Sequence, residues 1–272
     1  MKLLCPIDFS DSSINAAKWA GNYLMDKGGD HEVLFFHCIN QVRRANMFVS
    51  MNDIMREKAE NDFELLLAEI RAKFPEVKFS SYISLSDPKD IIPEYAEKHD
   101  FDLIIIGTRG LSTIKELTVG SVANHLFNNS KVPVMAIPVN SEFQGIKSVV
   151  LGMDSDNLLS KQTLEPLIGL VQRTGAKIYM THIQEIDDPI IEYDPSYDLF
   201  LEGIDRGFVR LNKDKNIADT LTEFNQEINS DVLCMISHKR TWLQRLFNRS
   251  ALKEELFILN TPLLVLPEVV PS

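Results

Sequence analysis

The run Ile104-Ile105-Ile106-Gly107-Thr108-Arg109-Gly110 ends an apolar stretch in two glycines, and after nine intervening residues comes Gly120-Ser121. Glycine lets an anion approach the backbone and tolerates positive φ. A helix opening at Ser121 would present unpaired N–H groups and the positive end of its dipole. The Ser121 hydroxyl would add one more donor. Gly107, Gly110, Gly120 and Ser121 therefore have the types and spacing of a phosphate cradle. The frame is not G-x-x-x-x-G-K-[ST], since no lysine is placed to reach a terminal phosphate, nor is it G-x-G-x-x-G. A plain turn at a strand end is the competing reading of one glycine pair; the longer frame favours the cradle.

Other residues that could do chemistry are weaker candidates. His37 and His182 lie in apolar runs, where hydrogen-bonded core histidines are expected ahead of metal ligands. Asp187, Asp188, Asp194 and Asp198 could bind a hard cation but lack EF-hand spacing. A solvated acidic loop is the expectation. Cys5, Cys38 and Cys234 read as small buried apolar residues. Ser10, Ser12 and Ser13 suit helix capping, and no G-x-S-x-G supports a nucleophile. Asp8 with His37 is the one acid–base pair visible. His238, Lys239, Arg240, Arg245 and Arg249 place five basic residues within twelve positions of an acidic chain. They suggest an anion site built from side chains, against the plainer expectation of a solvated basic loop. Trp242 and Phe247 beside them are expected to pack in a core or interface.

The elements that would position these residues alternate. Lys2 to Ile7, Glu32 to Ile39, Val77 to Leu85, Phe101 to Ile106 and Val132 to Ile137 read as strands. Helices are expected over Ile14 to Met25, from Pro88 toward Lys98, and from about Ser121 to Asn129. Between the second and third strands, Met51, Ile54, Met55, Phe63, Leu66, Leu67, Ile70 and Phe74 mark one face of a long helix. Apolar strands separated by helices imply a parallel sheet covered on both faces. The pattern then repeats. Lys147 to Asp154 mirrors Lys2 to Asp8, and Ala176 to Ile183 mirrors Val33 to Ile39. Phe208 to Leu211 mirrors the third strand, Asp231 to Ile236 mirrors Asp102 to Ile106, and Asn260 to Pro267 mirrors Lys131 to Pro138. Gly107 is matched by Ser237, Gly110 by Arg240 and Gly120 by Ser250, while Asp154 keeps the position of Asp8. The long helix is trimmed or replaced in the second half. Val139 to Ile146 is the expected linker.

The chain has 272 residues, a formal net charge of −11, 44% hydrophobic and 25% charged residues. This is the balance of a soluble globular protein, long enough for two ordinary domains. The acidic balance argues against nucleic acid and against docking on an anionic membrane. No apolar run has spanning length, and the N-terminus does not resemble a signal peptide. Three cysteines without metal or disulfide spacing suit a reduced cytoplasm.

Gly107-x2-Gly110-x9-Gly120-Ser121, followed by Val132-Pro133 and Pro138, resembles the ATP-binding motif of the universal stress protein family. The opening Pro6-Ile7-Asp8-Phe9-Ser10 is similar to that family's first strand and turn. The resemblance covers the chain as two tandem domains, 1–139 with the motif intact and 146–272 with it degenerate. It implies an α/β fold: two doubly wound domains, each a five-stranded parallel sheet in the order 3-2-1-4-5 with helices on both faces. It also implies that the first domain binds ATP, with Mg²⁺, or another adenine nucleotide. Pro6 and Asp8 would hold the adenosine end, and Cys38 and Ile39 would line the adenine pocket. Gly107, Gly110, Gly120, Ser121 and Val122 would hold the phosphates, with Arg109 over them. Family resemblance further implies pairing of Val132–Pro138 with Pro262–Leu266 within the chain, assembly of two chains being a further option. The implied role is stress sensing or signalling through a protein partner. Slow ATP hydrolysis or a scaffold without nucleotide are the alternatives.

Overall fold

The structure is a computed structural model and describes residues 1–25, 29–40, 48–108, 120–153, 160–184, 194–212, 217–237 and 261–269. The chain divides into two compact units, Met1–Phe143 and Gln144–Ser272.

In the first unit the order is β1 (Lys2–Pro6), α1 (Asp11–Met25), β2 (Glu32–Cys38), α2 (Phe48–Lys73), β3 (Lys78–Ser84), α3 (Pro88–Lys98), β4 (Leu103–Gly107), α4 (Ser121–Asn129) and β5 (Val134–Ile137). The sheet runs β3-β2-β1-β4-β5, with every neighbouring pair parallel. β4 and β5 are buried throughout, as strands covered on both faces must be. Successive side chains of a strand point to opposite faces. On β2, Phe35 stacks on Phe63 of α2, and Phe36 meets Tyr95 of α3. Helices α2 and α3 therefore cover opposite faces. α1 shares the face of α2, since Lys18 pairs with Glu69 at 2.8 Å. α4 packs beside α3.

The helix starts follow from their caps. Ser10 Oγ accepts from Ser13 N–H at 3.3 Å and opens α1. Asp87 Oδ1 accepts from Lys89 N–H at 2.9 Å and opens α3, with Pro88 at its first position. Both are standard N-terminal arrangements.

The apolar face expected along α2 is only half realised. Ala59, Phe63, Leu66, Leu67 and Ile70 are buried, whereas Met51, Ile54 and Met55 are 50%, 61% and 39% exposed. The reason is length. A helix of 26 residues spans about 39 Å, while the strands it covers reach only about 17–23 Å. The first turns of α2 therefore outrun the sheet.

The segment after β5 is bound to α1. The Asn15 carboxamide donates to Pro138 O at 3.0 Å and to Ser141 O at 2.9 Å. The Phe143 ring lies edge-on to Trp19, with centroids 5.0 Å apart. Residues 138–143 thus belong to the first unit's packing, and only the later part of the expected linker lies beyond Phe143.

The second unit comprises β6 (Ser148–Met153), α5 (Lys161–Thr174), β7 (Lys177–Gln184), α6 (Ser196–Phe200), β8 (Arg206–Asn212), α7 (Ile217–Glu227), β9 (Val232–Ser237) and β10 (Leu263–Pro267). Its sheet runs β8-β7-β6-β9-β10, all parallel. Ser160 caps α5 by accepting from Thr163 N–H at 3.2 Å. Where α2 has 26 residues, α6 has five, which agrees with the trimming read from the sequence.

The two registers correct one match. Asp102 Oδ2 accepts from Lys2 N–H at 2.7 Å, and Asp231 Oδ2 accepts from Ser148 N–H at 2.9 Å. Ile104 N–H donates to Pro133 O as Leu233 N–H donates to Pro262 O. Counting on from these ties, the counterpart of Gly107 is Ile236 and that of Thr108 is Ser237. The mismatch arises because the sequence match counted from the end of the apolar run, whereas the hydrogen bonds count from the aspartate at its start.

Candidate functional site

The site candidates of the first unit lie at the carboxyl end of its sheet, where β1 meets β4. The chain leaves β1 through Pro6, which is buried. Ile7 N–H donates to Phe36 O at 2.9 Å, and Ile7 O accepts from His37 Nδ1–H at 2.7 Å. A carbonyl only accepts, so the proton sits on Nδ1 in this contact. His37 is hydrogen-bonded, as expected, and ties the turn to β2, but it is half-buried rather than a core residue. Asp8 Oδ1 accepts from Ser10 N–H at 3.1 Å and from Ser10 Oγ at 2.6 Å. This Asx-type closure sets the turn. Phe9 takes φ +61°, a left-handed conformation uncommon for such a residue. Its ring lies 5.0 Å from both His37 and Phe63.

Gly107 is required for a reason the sequence did not give. A Cβ placed there would fall 2.5 Å from Ser12 Oγ and 2.6 Å from the Ser12 carbonyl oxygen. Helix α1 crosses β4 so closely that no side chain fits, with or without a ligand. Gly107 then places Thr108, which donates to Ile137 O at 3.1 Å and whose own carbonyl accepts from Gly120 N–H at 2.7 Å. Thr108 and Gly120 are therefore hydrogen-bonded to each other.

That bond also sorts the N–H groups at the head of α4. Gly120 N–H is occupied by Thr108. Gly120 caps α4 with φ −59° and ψ 152° and offers no side-chain hydrogen bond. The N–H groups of Ser121, Val122 and Ala123 thus open the helix without a side-chain cap, and exposed Ser121 carries its hydroxyl there. An oxyanion fits this arrangement.

Cys38 and Ile39 close β2. Ile39 is buried, and its N–H donates to Ser84 O at 2.8 Å. Cys38 is half-buried, less covered than the fully buried cysteine expected. Burial first, then the nearby Asp87 carboxylate, push its thiol up to about 12. Cys5 and Cys234 are buried, and burial raises both thiols.

Pro6, Asp8, Cys38, Ile39, Gly107, Gly120, Ser121 and Val122 are therefore brought to one end of one unit. Arg109, Gly110, Asp154, Asp187, Asp188, Trp242 and Phe247 lie outside the described residues, as do all five basic candidates from His238 to Arg249. Asp198 pairs with Arg206. Among the described residues no group of three or more His, Cys, Asp or Glu could hold a metal ion, and no helix is long and apolar enough to cross a membrane. Ser12, Thr108 and Asp87 are the site neighbours that the motif reading missed. Two act through backbone atoms, which leave no residue-type signature. Asp87 lies one position before the expected start of α3 and belongs to no motif.

A parallel sheet in this order, with its cleft at the reversal between β1 and β4, defines the doubly wound α/β class. Residues 1–138 match the model of the Universal stress protein family, and the chain belongs to that family. It is similar to two universal stress proteins of Methanocaldococcus jannaschii. One is 29% identical over 143 residues, covering 50% of this chain and 81% of the relative. The other is 26% identical over 153 residues, covering 50% and 93%. The solved structure of a universal stress protein from Archaeoglobus fulgidus shares the fold, with a TM-score of 0.71 at 21% identity over 98% of this chain and 96% of that one.

Proposed function

We propose that the first unit binds an adenine nucleotide, ATP above others, and that its occupancy shifts the binding of a protein partner in a stress response. The observation that carries the reading is the start of α4. Gly120 leaves the N–H groups of Ser121, Val122 and Ala123 without a side-chain cap, at the end of the sheet where this class takes ligands. The polyphosphate would lie on these donors and the Ser121 hydroxyl, with Gly110 and Arg109 alongside. Asp8 and the backbone at Pro6 would hold the adenosine, against Cys38 and Ile39. Mg²⁺ would arrive bound to the phosphates, which suits an ion that prefers phosphate oxygens to an all-protein cage. Changing occupancy can shift partner binding only so far as the partner distinguishes the two states.

The second unit is proposed as a domain of the same family that does not bind nucleotide in this way. Ile236, at the position of Gly107, is a buried branched residue. The basic sequence from His238 to Arg249 is proposed as an anion site using side chains. Equilibrium dialysis of the full chain with ATP, ADP and AMP at millimolar concentration tests the reading. Binding by wild type and its loss in Gly110→Val and Gly120→Val support it; no binding by wild type refutes it.

A further inference from the structure

The N-termini of α3 and α4 open at the same end and face of the first sheet but carry opposite chemistry. At α4 the cap is Gly120, which adds no side chain, so the first-turn N–H groups favour an anion. At α3 the cap is Asp87, whose Oδ1 occupies Lys89 N–H. The exposed Asp87 carboxylate adds negative charge there and keeps Oδ2 as a further acceptor. A ligand lying across both needs an anion at one end and a hydrogen-bond donor at the other.

Asp87 stands where the base would lie. Phe36 meets Tyr95 of α3, so Cys38, two residues on, faces α3 as well. Ile39 N–H is bonded to Ser84 O, and α3 opens only four residues after Ser84. The Asp87 carboxylate is close enough to Cys38 to raise its thiol. Cys38 and Asp87 thus stand near each other at the carboxyl end of the sheet, across the strand ends from α4.

We propose that Asp87 is the base-recognition residue of this site, accepting a hydrogen bond from the exocyclic amino group of adenine; the assignment rests on the nucleotide reading above. A 6-oxo purine would turn a carbonyl oxygen toward the carboxylate, leaving both unpaired and repelling. The site should therefore discriminate by the 6-substituent, since a polar group left without its partner is rejected far more strongly than a change of size.

The test uses the full chain, with ATP and inosine 5′-triphosphate as probes, in wild type, Asp87→Asn and Asp87→Ser. Both substitutes cap helices about as well as aspartate, so thermal melts should stay near wild type. Wild type should prefer ATP. In Asp87→Asn, whose amide can donate to a 6-oxo group, the ATP-to-inosine-triphosphate affinity ratio should fall by about tenfold or more. Asp87→Ser should lose the preference without reversing it. Wild-type binding with an unchanged ratio in both variants overturns the Asp87 assignment and leaves the nucleotide reading standing. No binding of either nucleotide by wild type overturns both.

Discussion

Gly120 N–H donates to the carbonyl of Thr108 at 2.7 Å, so the third glycine of the motif is not itself a phosphate donor. It ties the start of α4 to the end of β4. The contact divides the motif's work. Gly107 admits α1, Thr108 and Gly120 bond to each other, and Ser121 with its two successors stands at the head of α4 without a side-chain cap.

Gly107→Ala should destabilise the fold even without ligand. The added methyl meets the Ser12 backbone, and overpacking of this kind costs about 1–3 kcal/mol. Urea unfolding of the full chain checks this through its midpoint. An unchanged midpoint would show that α1 can move aside, and that the glycine is there for the ligand alone.

The strap after β5 should be separable from the site. Asn15→Leu removes two hydrogen bonds, each worth about 1 kcal/mol. Phe143→Ala removes the ring from Trp19, for which an aromatic pair adds about 0.5–1.5 kcal/mol. Either change should speed proteolytic cleavage between residues 138 and 143. Cleavage at the wild-type rate in both would mean that these contacts do not hold the segment.

Removing the α3 cap should cost stability only when the substitute cannot cap. Asp87→Ala should destabilise by about 1 kcal/mol, while Asp87→Ser should lie near wild type. Chemical denaturation distinguishes them. Equal losses in both variants would place the Asp87 contribution in its charge rather than its cap.

The thiols set an alkaline limit. Cys38 has an ordinary value of 9.0 and is pushed up to about 12 by burial and by Asp87; Cys5 and Cys234 are raised in the same direction. Above pH 9 the unfolded chain loses thiol protons that the folded chain keeps. The folded state therefore binds more protons, and stability must fall as pH rises from about 9 toward 12. Below the ordinary value the effect is absent. Native-state alkylation at pH 7.5 should also be slow at all three cysteines and rapid in denaturant. Fast native labelling of Cys38 would contradict its protonated, half-buried state.

Much of this was legible in the chain. Strand order follows from apolar runs and resemblance, and Ser10, one of the serines suited to capping, stands at the head of α1. The expectation of a phosphate cradle came from glycine and serine at fixed spacing, which are a residue-type signal. Contacts made by backbone atoms were not visible: Thr108 O with Gly120 N–H, and Ser12 O against Gly107, would look the same with many other residues at 12 and 108. The outer turns of α2 misled because helical periodicity marks an apolar face without saying how far the sheet extends beneath it. Ile236 was hidden behind Ser237 because register is set by the Asp231 hydrogen bonds, not by where hydrophobicity stops.

The first unit is proposed to carry a nucleotide site that the second unit lacks. Equilibrium dialysis of the full wild-type chain against saturating ATP with Mg²⁺ measures this as a stoichiometry. One tightly bound ATP per chain is expected, abolished by Gly120→Val in a chain that still unfolds cooperatively. No ATP bound by wild type, or two bound with equal affinity per chain, would overturn this reading.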